Sequence, residues 1–143
     1  MRNLPAKRPR GKAVTEEKQD MATSPSIFPL AHIALTALIL AVVAGLLLLV
    51  LRTRFKGLRL SDCLLVALIA GISVLVWRSA GNTGALNNDP VPAVSPNDVI
   101  TPLVTYLFAG FYAAFRRPLD AARFEQARVV LTLVSFVVNV VTI

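Results

Sequence analysis

Residues 27–51 read IFPLAHIALTALILAVVAGLLLLVL, a run with no side chain that is formally charged at neutral pH. Coiled as a helix it rises roughly 37 Å, more than the roughly 30 Å of a bilayer's hydrocarbon, so it crosses with some tilt. A removed secretory leader carries an apolar stretch of only about 7–15 residues before a small-residue cleavage site. The longer run here is read as a retained span.

Working outward, the preceding residues 1–26 (MRNLPAKRPRGKAVTEEKQDMATSPS) are polar and crowd Arg2, Lys7, Arg8, Arg10 and Lys12 into their first half. Pro5, Pro9 and Gly11 interrupt a helix, and too few apolar groups are present to offset the entropy of ordering. The expectation is a disordered basic tail. After the span, Arg52, Arg54, Lys56 and Arg59 form a tight basic loop, with Ser61 or Asp62 placed to cap a second span at about 60–77. Trp77 beside Arg78 suits an anchor at headgroup depth.

The stretch 78–98, RSAGNTGALNNDPVPAVSPND, is rich in Gly, Asn and Pro and reads as an exposed loop. Asp98 is a candidate cap for a third span at about 99–115, with Pro102 in its first turn, where a missing N–H costs little. Arg116, Arg117 and Pro118 close that span. Asp120/Arg123 and Glu125/Arg128 then sit three residues apart, a spacing at which opposite charges meet on a helix. The last apolar stretch, 129–143, covers only roughly 22 Å. A fourth span at about 121–143, entered near Leu119, therefore needs Arg123 and Arg128 to snorkel toward the headgroups; a half-span end is the alternative. The fold expected is all-α, a four-span integral membrane domain over 27–143 with a short last helix.

The totals agree with this reading. Of 143 residues 55% are hydrophobic and 16% charged, where soluble domains hold about 25% charged. Mean hydropathy is +0.66. The one cysteine (Cys63) and one histidine (His32) exclude a disulfide scaffold and a Cys/His metal framework. No nucleophile–base pair, paired carboxylate or phosphate loop stands out, and neither a cofactor nor an enzymatic activity is expected. His32 reads as a neutral, hydrogen-bonded group near the interface rather than a proton relay.

Short loops bearing Lys and Arg stay cytoplasmic. Four such residues follow the first span and four follow the third (Arg116, Arg117, Arg123, Arg128), against Arg78 alone in the loop between the second and third. This favours both termini outside a bacterial cytoplasmic membrane, although the tail's six basic residues pull the other way. Arg52, Arg54, Lys56, Arg59, Arg116 and Arg117 are then expected to contact anionic headgroups. For the tail, anionic lipid is preferred over nucleic acid, with an acidic partner equally compatible.

Contact faces come from small and polar residues, since helices in lipid associate by close approach and hydrogen bonding. The small-residue strips are Ala37, Ala41 and Gly45 in the first span, Ala67 and Gly71 in the second, and Ala109, Gly110 and Ala113 in the third. Thr132, Ser135, Asn139 and Thr142 share one face of the fourth span and are expected to pair with Thr101, Thr105 and Tyr112. These features point to a non-catalytic accessory subunit that docks with other membrane subunits. Two alternatives remain: a homo-oligomeric, holin-like or small-solute pore, and a tether recruiting an acidic partner through its tail.

Overall fold

The computed structural model describes residues 26–54, 58–90, 92 and 94–142. Lys56 and the tail through residue 25 lie outside the described residues, so the readings placed on them stay as they were. Within the described part the regular structure is helical: α1 (Leu30–Arg54), α2 (Leu60–Ala80), the single turn α3 (Gly84–Asn87), α4 (Pro96–Arg116) and α5 (Ala121–Thr142). Four of these helices are long and apolar enough to cross a membrane, α5 included. At 22 residues α5 rises roughly 33 Å. Its polar first turns supply the length that the apolar stretch alone lacked.

Local chemistry sets the ends. Ser95 is the N-cap of α4, and Asp98, expected as the cap, is the reciprocal partner three residues on. The Ser95 hydroxyl accepts from the Asp98 amide, and the Asp98 carboxylate accepts from the Ser95 amide at 2.8 Å. Pro96 takes the first helical position, where its fixed φ suits the turn. The α4 helix thus starts three residues before the expected boundary. Arg117 ends it in the left-handed region (φ 47°), its N–H donating to the Ala113 carbonyl. Asp120 opens α5 by accepting from the Arg123 amide at 3.0 Å. At α2 neither Ser61 nor Asp62 is the cap: the helix starts at Leu60, its N-cap position is Arg59, and no side chain bonds there.

The long helices alternate in direction and pack in a ring, α1 on α2, α2 on α4, α4 on α5 and α5 back on α1. One pole gathers the Leu30, Ala80, Pro96 and Thr142 ends together with α3; the other gathers the arginine-bearing turns. The small-residue strips of α1 and α2 meet each other. A Cβ placed on Gly71 would lie 2.9 Å from both the Ala37 carbonyl oxygen and the Ala41 Cβ, so these backbones touch only because Gly71 has no side chain.

The outer surface is unlike that of a protein folded in water. Ridges of large apolar side chains at four-residue steps face outward, such as Leu64, Leu68, Ile72 and Val76 on α2 and Leu103, Leu107, Phe111 and Phe115 on α4. The interior combines an apolar core, Leu40, Ala44, Val66, Ala70, Val74 and Leu131 among it, with buried Thr36, Asp62, Ser73, Arg78, Asp98, Thr101, Thr105, Ser135 and Asn139.

Candidate functional site

The polar interior begins with Arg78. Its four-residue steps, Ala70–Val74–Arg78, run along the buried face of α2, so the side chain turns into the bundle and is 1% exposed. Expected in an exposed loop beyond the Trp77 ring, Arg78 lies inside the bundle instead. An arginine on that face finds no water and must find partners. One terminal nitrogen forms an ion pair with Asp98 of α4. Its Nε donates to Asn139 Oδ1 of α5 at 3.1 Å, and the other terminal nitrogen donates to Asn87 Oδ1 of α3 at 3.3 Å. Asp98 serves twice: one carboxylate oxygen holds the cap of α4 and the other holds the cation.

Amides stitch α3 over this ion pair. Asn87 donates to the Thr83 carbonyl at 2.8 Å and to the Gly81 carbonyl at 3.2 Å. Asn97 donates to Asn87 Oδ1 at 3.1 Å and accepts from the Trp77 indole at 2.6 Å. Trp77 thus spends its N–H inside the protein, where an interfacial anchor was expected. The stretch 78–98 is correspondingly not one exposed loop: it holds a helical turn and buries Ser95 and Asn97.

From Arg78 a file of polar groups descends toward mid-bundle. Asn139 donates to the Ser135 carbonyl at 2.7 Å; the Ser135 hydroxyl meets Thr105 at 3.2 Å, and Thr105 meets Ser73 of α2 at 2.8 Å. Three helices are joined by that hydroxyl trio. Thr105–Ser135 is the one direct hydrogen bond between the two polar strips read from the sequence. Thr101, Thr132 and Thr142 bond carbonyls four residues back on their own helices. Tyr112 turns to α2 instead, donating to Asp62 at 2.7 Å while its ring stacks on Phe124.

Below the trio comes an apolar layer of Leu40, Ala70, Ala109 and Leu131. Toward the arginine pole, Arg128 lies flat over the Tyr106 ring, 3.4 Å from its centre, and donates to the Tyr106 carbonyl at 2.9 Å. Glu125 completes the group, accepting from Arg128 at 2.9 Å and from the Tyr106 hydroxyl at 2.5 Å. Gly110 makes room for the guanidinium, since a Cβ there would lie 2.7 Å from it. Both pairs expected at three-residue spacing form, Asp120 with Arg123 and Glu125 with Arg128.

The chain matches no family model, no curated protein and no solved structure. Function must be argued from this geometry alone.

Among the described residues every buried side-chain nitrogen and oxygen has a hydrogen-bond partner. Chemically the file can hold helices together and, where water reaches it, solvate water. No three His, Cys, Asp or Glu side chains gather among the described residues, so none is assigned to a metal. His32 stacks on Phe28, and its Nε2 lies 3.0 Å from the Thr142 carbonyl oxygen, tying α1 to the end of α5. Arg52, Arg54, Arg116 and Arg117 are exposed at the arginine pole with Arg59. The sequence reading missed Asp62 and Arg78 as interior groups and Asn87 as a partner of Arg78. Both interior groups carried a signal: Arg78 continues the small-residue register of α2, and Asp62 lies two steps of four from Ala70.

Proposed function

We propose that the protein is a non-catalytic, multi-pass membrane protein that serves as an accessory subunit of a larger assembly in a bacterial cytoplasmic membrane. The observation that carries this reading is the difference between its outer walls. The outward faces of α1 and α2 are plain aliphatic ridges. The α4–α5 wall instead presents Phe111 and Phe115, exposed Gln126 and the half-exposed carboxylate of Glu125. Hydrocarbon offers nothing to the Gln126 amide, whereas a neighbouring helix can satisfy it; Glu125 is held by Arg128 and Tyr106 within the chain.

The α1 and α2 small-residue strips, by contrast, are used within the chain and are not offered to a partner. Orientation is argued from charge. Arg78, the one basic residue between the second and third spans, is paired with Asp98. The arginine pole exposes Arg52, Arg54, Arg59, Arg116 and Arg117 and is placed on the cytoplasmic headgroups, which puts α3 outside.

The test is a photo-crosslinking residue at Phe111 or Gln126, compared with Leu68 on the α2 wall. Adducts to one larger protein at fixed stoichiometry are expected from the first two sites only. Recovery solely as a monomer, or equal yields from all three sites, defeats the reading. A pore built on the α4–α5 polar strips has less support, because Ser135 and Asn139 are fully buried and spent on α2 and α4.

A further inference from the structure

Full charges are a costly way to join helices, since amides and hydroxyls hold a polar seam with far less desolvation. Ionisable groups within a membrane domain more often mark places that water visits. In this bundle the charged pair sits at the top of the polar file, directly under α3. Three observations show how water would arrive. No residue of α3 is buried, so the cap gains little from apolar burial. Its anchors are hydrogen bonds, all of which water can replace: Asn87 Oδ1 accepts from Arg78 and Asn97, the Gly81 carbonyl accepts from Asn97, and the Asn82 side chain bonds the backbone of Ile27 and Phe28. Beneath it the polar groups run on unbroken through Asn139 and Ser135 to Thr105 and Ser73, and stop at the apolar layer of Leu40, Ala70, Ala109 and Leu131.

We propose that the segment 81–90 is a lid latched through Asn87 by Arg78, which Asp98 holds in place, and that its release opens a water-filled vestibule from the α3 pole to mid-bundle. Segments held by few apolar contacts and many replaceable hydrogen bonds open before the rest of a protein does. On opening, Arg78 and Asp98 regain hydration and water descends roughly 10 Å, the depth of Ser135 below Thr142. The apolar layer ends the vestibule there, so it is a dead-ended cavity and not a conduit. The ion pair sets the resting state closed, with each charge as the other's partner while water is excluded.

The experiment uses the full chain in vesicles and a membrane-impermeant cationic thiol reagent, in a Cys63→Ser background. Ser135→Cys reports the floor of the vestibule and Ala109→Cys the apolar layer below it. With the native pair both are expected to react slowly. Asp98→Asn should raise labelling of Ser135→Cys at least tenfold and leave Ala109→Cys unchanged. The double change Arg78→Met with Asp98→Leu, which makes the mouth apolar, should return Ser135→Cys to slow reaction. No acceleration in Asp98→Asn overturns the proposal. If Ala109→Cys accelerates as well, the bundle has loosened as a whole and the milder Asn87→Ala decides: faster labelling confined to Ser135→Cys supports the lid, and none refutes it. The isolated chain suffices, so the outcome is independent of any larger assembly.

Discussion

Tyr112 and Asp62 lie fifty positions apart in the chain, yet one hydrogen bond of 2.7 Å fixes how α4 meets α2 near the arginine pole. Tyr112→Phe keeps the ring on Phe124 and deletes only the donor, leaving a buried carboxylate oxygen unserved. A loss of about 1–3 kcal/mol is expected, read as a lower melting temperature in detergent. Arg78→Met is harsher, because Asp98 keeps its charge and loses its counter-ion; removal of one partner from a buried pair costs about 3–5 kcal/mol. Adding Asp98→Asn to Arg78→Met should recover much of that loss, and a double variant no better than the single would refute the pairwise account. These residues show why the site was only partly legible. Position along the chain says that Arg78 follows Trp77, which suits an interface. Only the partners in space, Asp98, Asn139 and Asn87, make its inward rotamer affordable.

Among the elements, the α1–α2 contact is the closest, and its glycines rank themselves. A Cβ on Gly45 would meet Ala67 at 3.6 Å, an ordinary contact, whereas one on Gly71 would meet the α1 backbone at 2.9 Å. Gly45→Ala is therefore expected to be neutral. Gly71→Ala should destabilise by about 1–3 kcal/mol, the usual effect of overpacking, and Gly71→Leu should separate the helices. Thermal melts of the three proteins check the order. A Cβ on Gly110 meets the end of a long side chain, which can swing away, so Gly110→Ala should cost less than Gly71→Ala. Helix existence and the small-residue strips were readable because each depends on spacing within one segment. Helix ends were less so: Ser95 and Pro96 lie inside a composition that reads as loop, and only the reciprocal bond between Ser95 and Asp98 reveals a helix start.

For the whole molecule the pattern of burial decides the solvent. Outward ridges of Leu, Val and Phe around an interior where Thr, Ser, Asn and a charge pair are buried beside apolar groups suit a hydrocarbon surround, and the sequence announced this through its long uncharged runs. Which face lies inward was hardest to read on α1, apolar on both its inner and outer sides, whereas the Thr, Ser and Asn strips of α4 and α5 marked their core side. Orientation makes its own prediction. A cysteine at Asn88 should react with impermeant reagents from outside intact cells, and one at Arg117 only after the membrane is breached; the opposite pattern would invert the topology argued from the arginines.

Asn82 adds a mechanical consequence. Its side chain accepts from the Ile27 and Phe28 amides at 3.1 and 2.9 Å and donates to the Phe28 carbonyl at 2.7 Å. The lead-in to the first helix is thereby buttoned to the strand of backbone that carries the lid. Whatever seizes the basic stretch upstream of Ser26 tugs on that button before it tugs on any span. A pull from outside the bilayer would be delivered through Asn82 to the segment 81–90, and Asn82→Ala would cut the string.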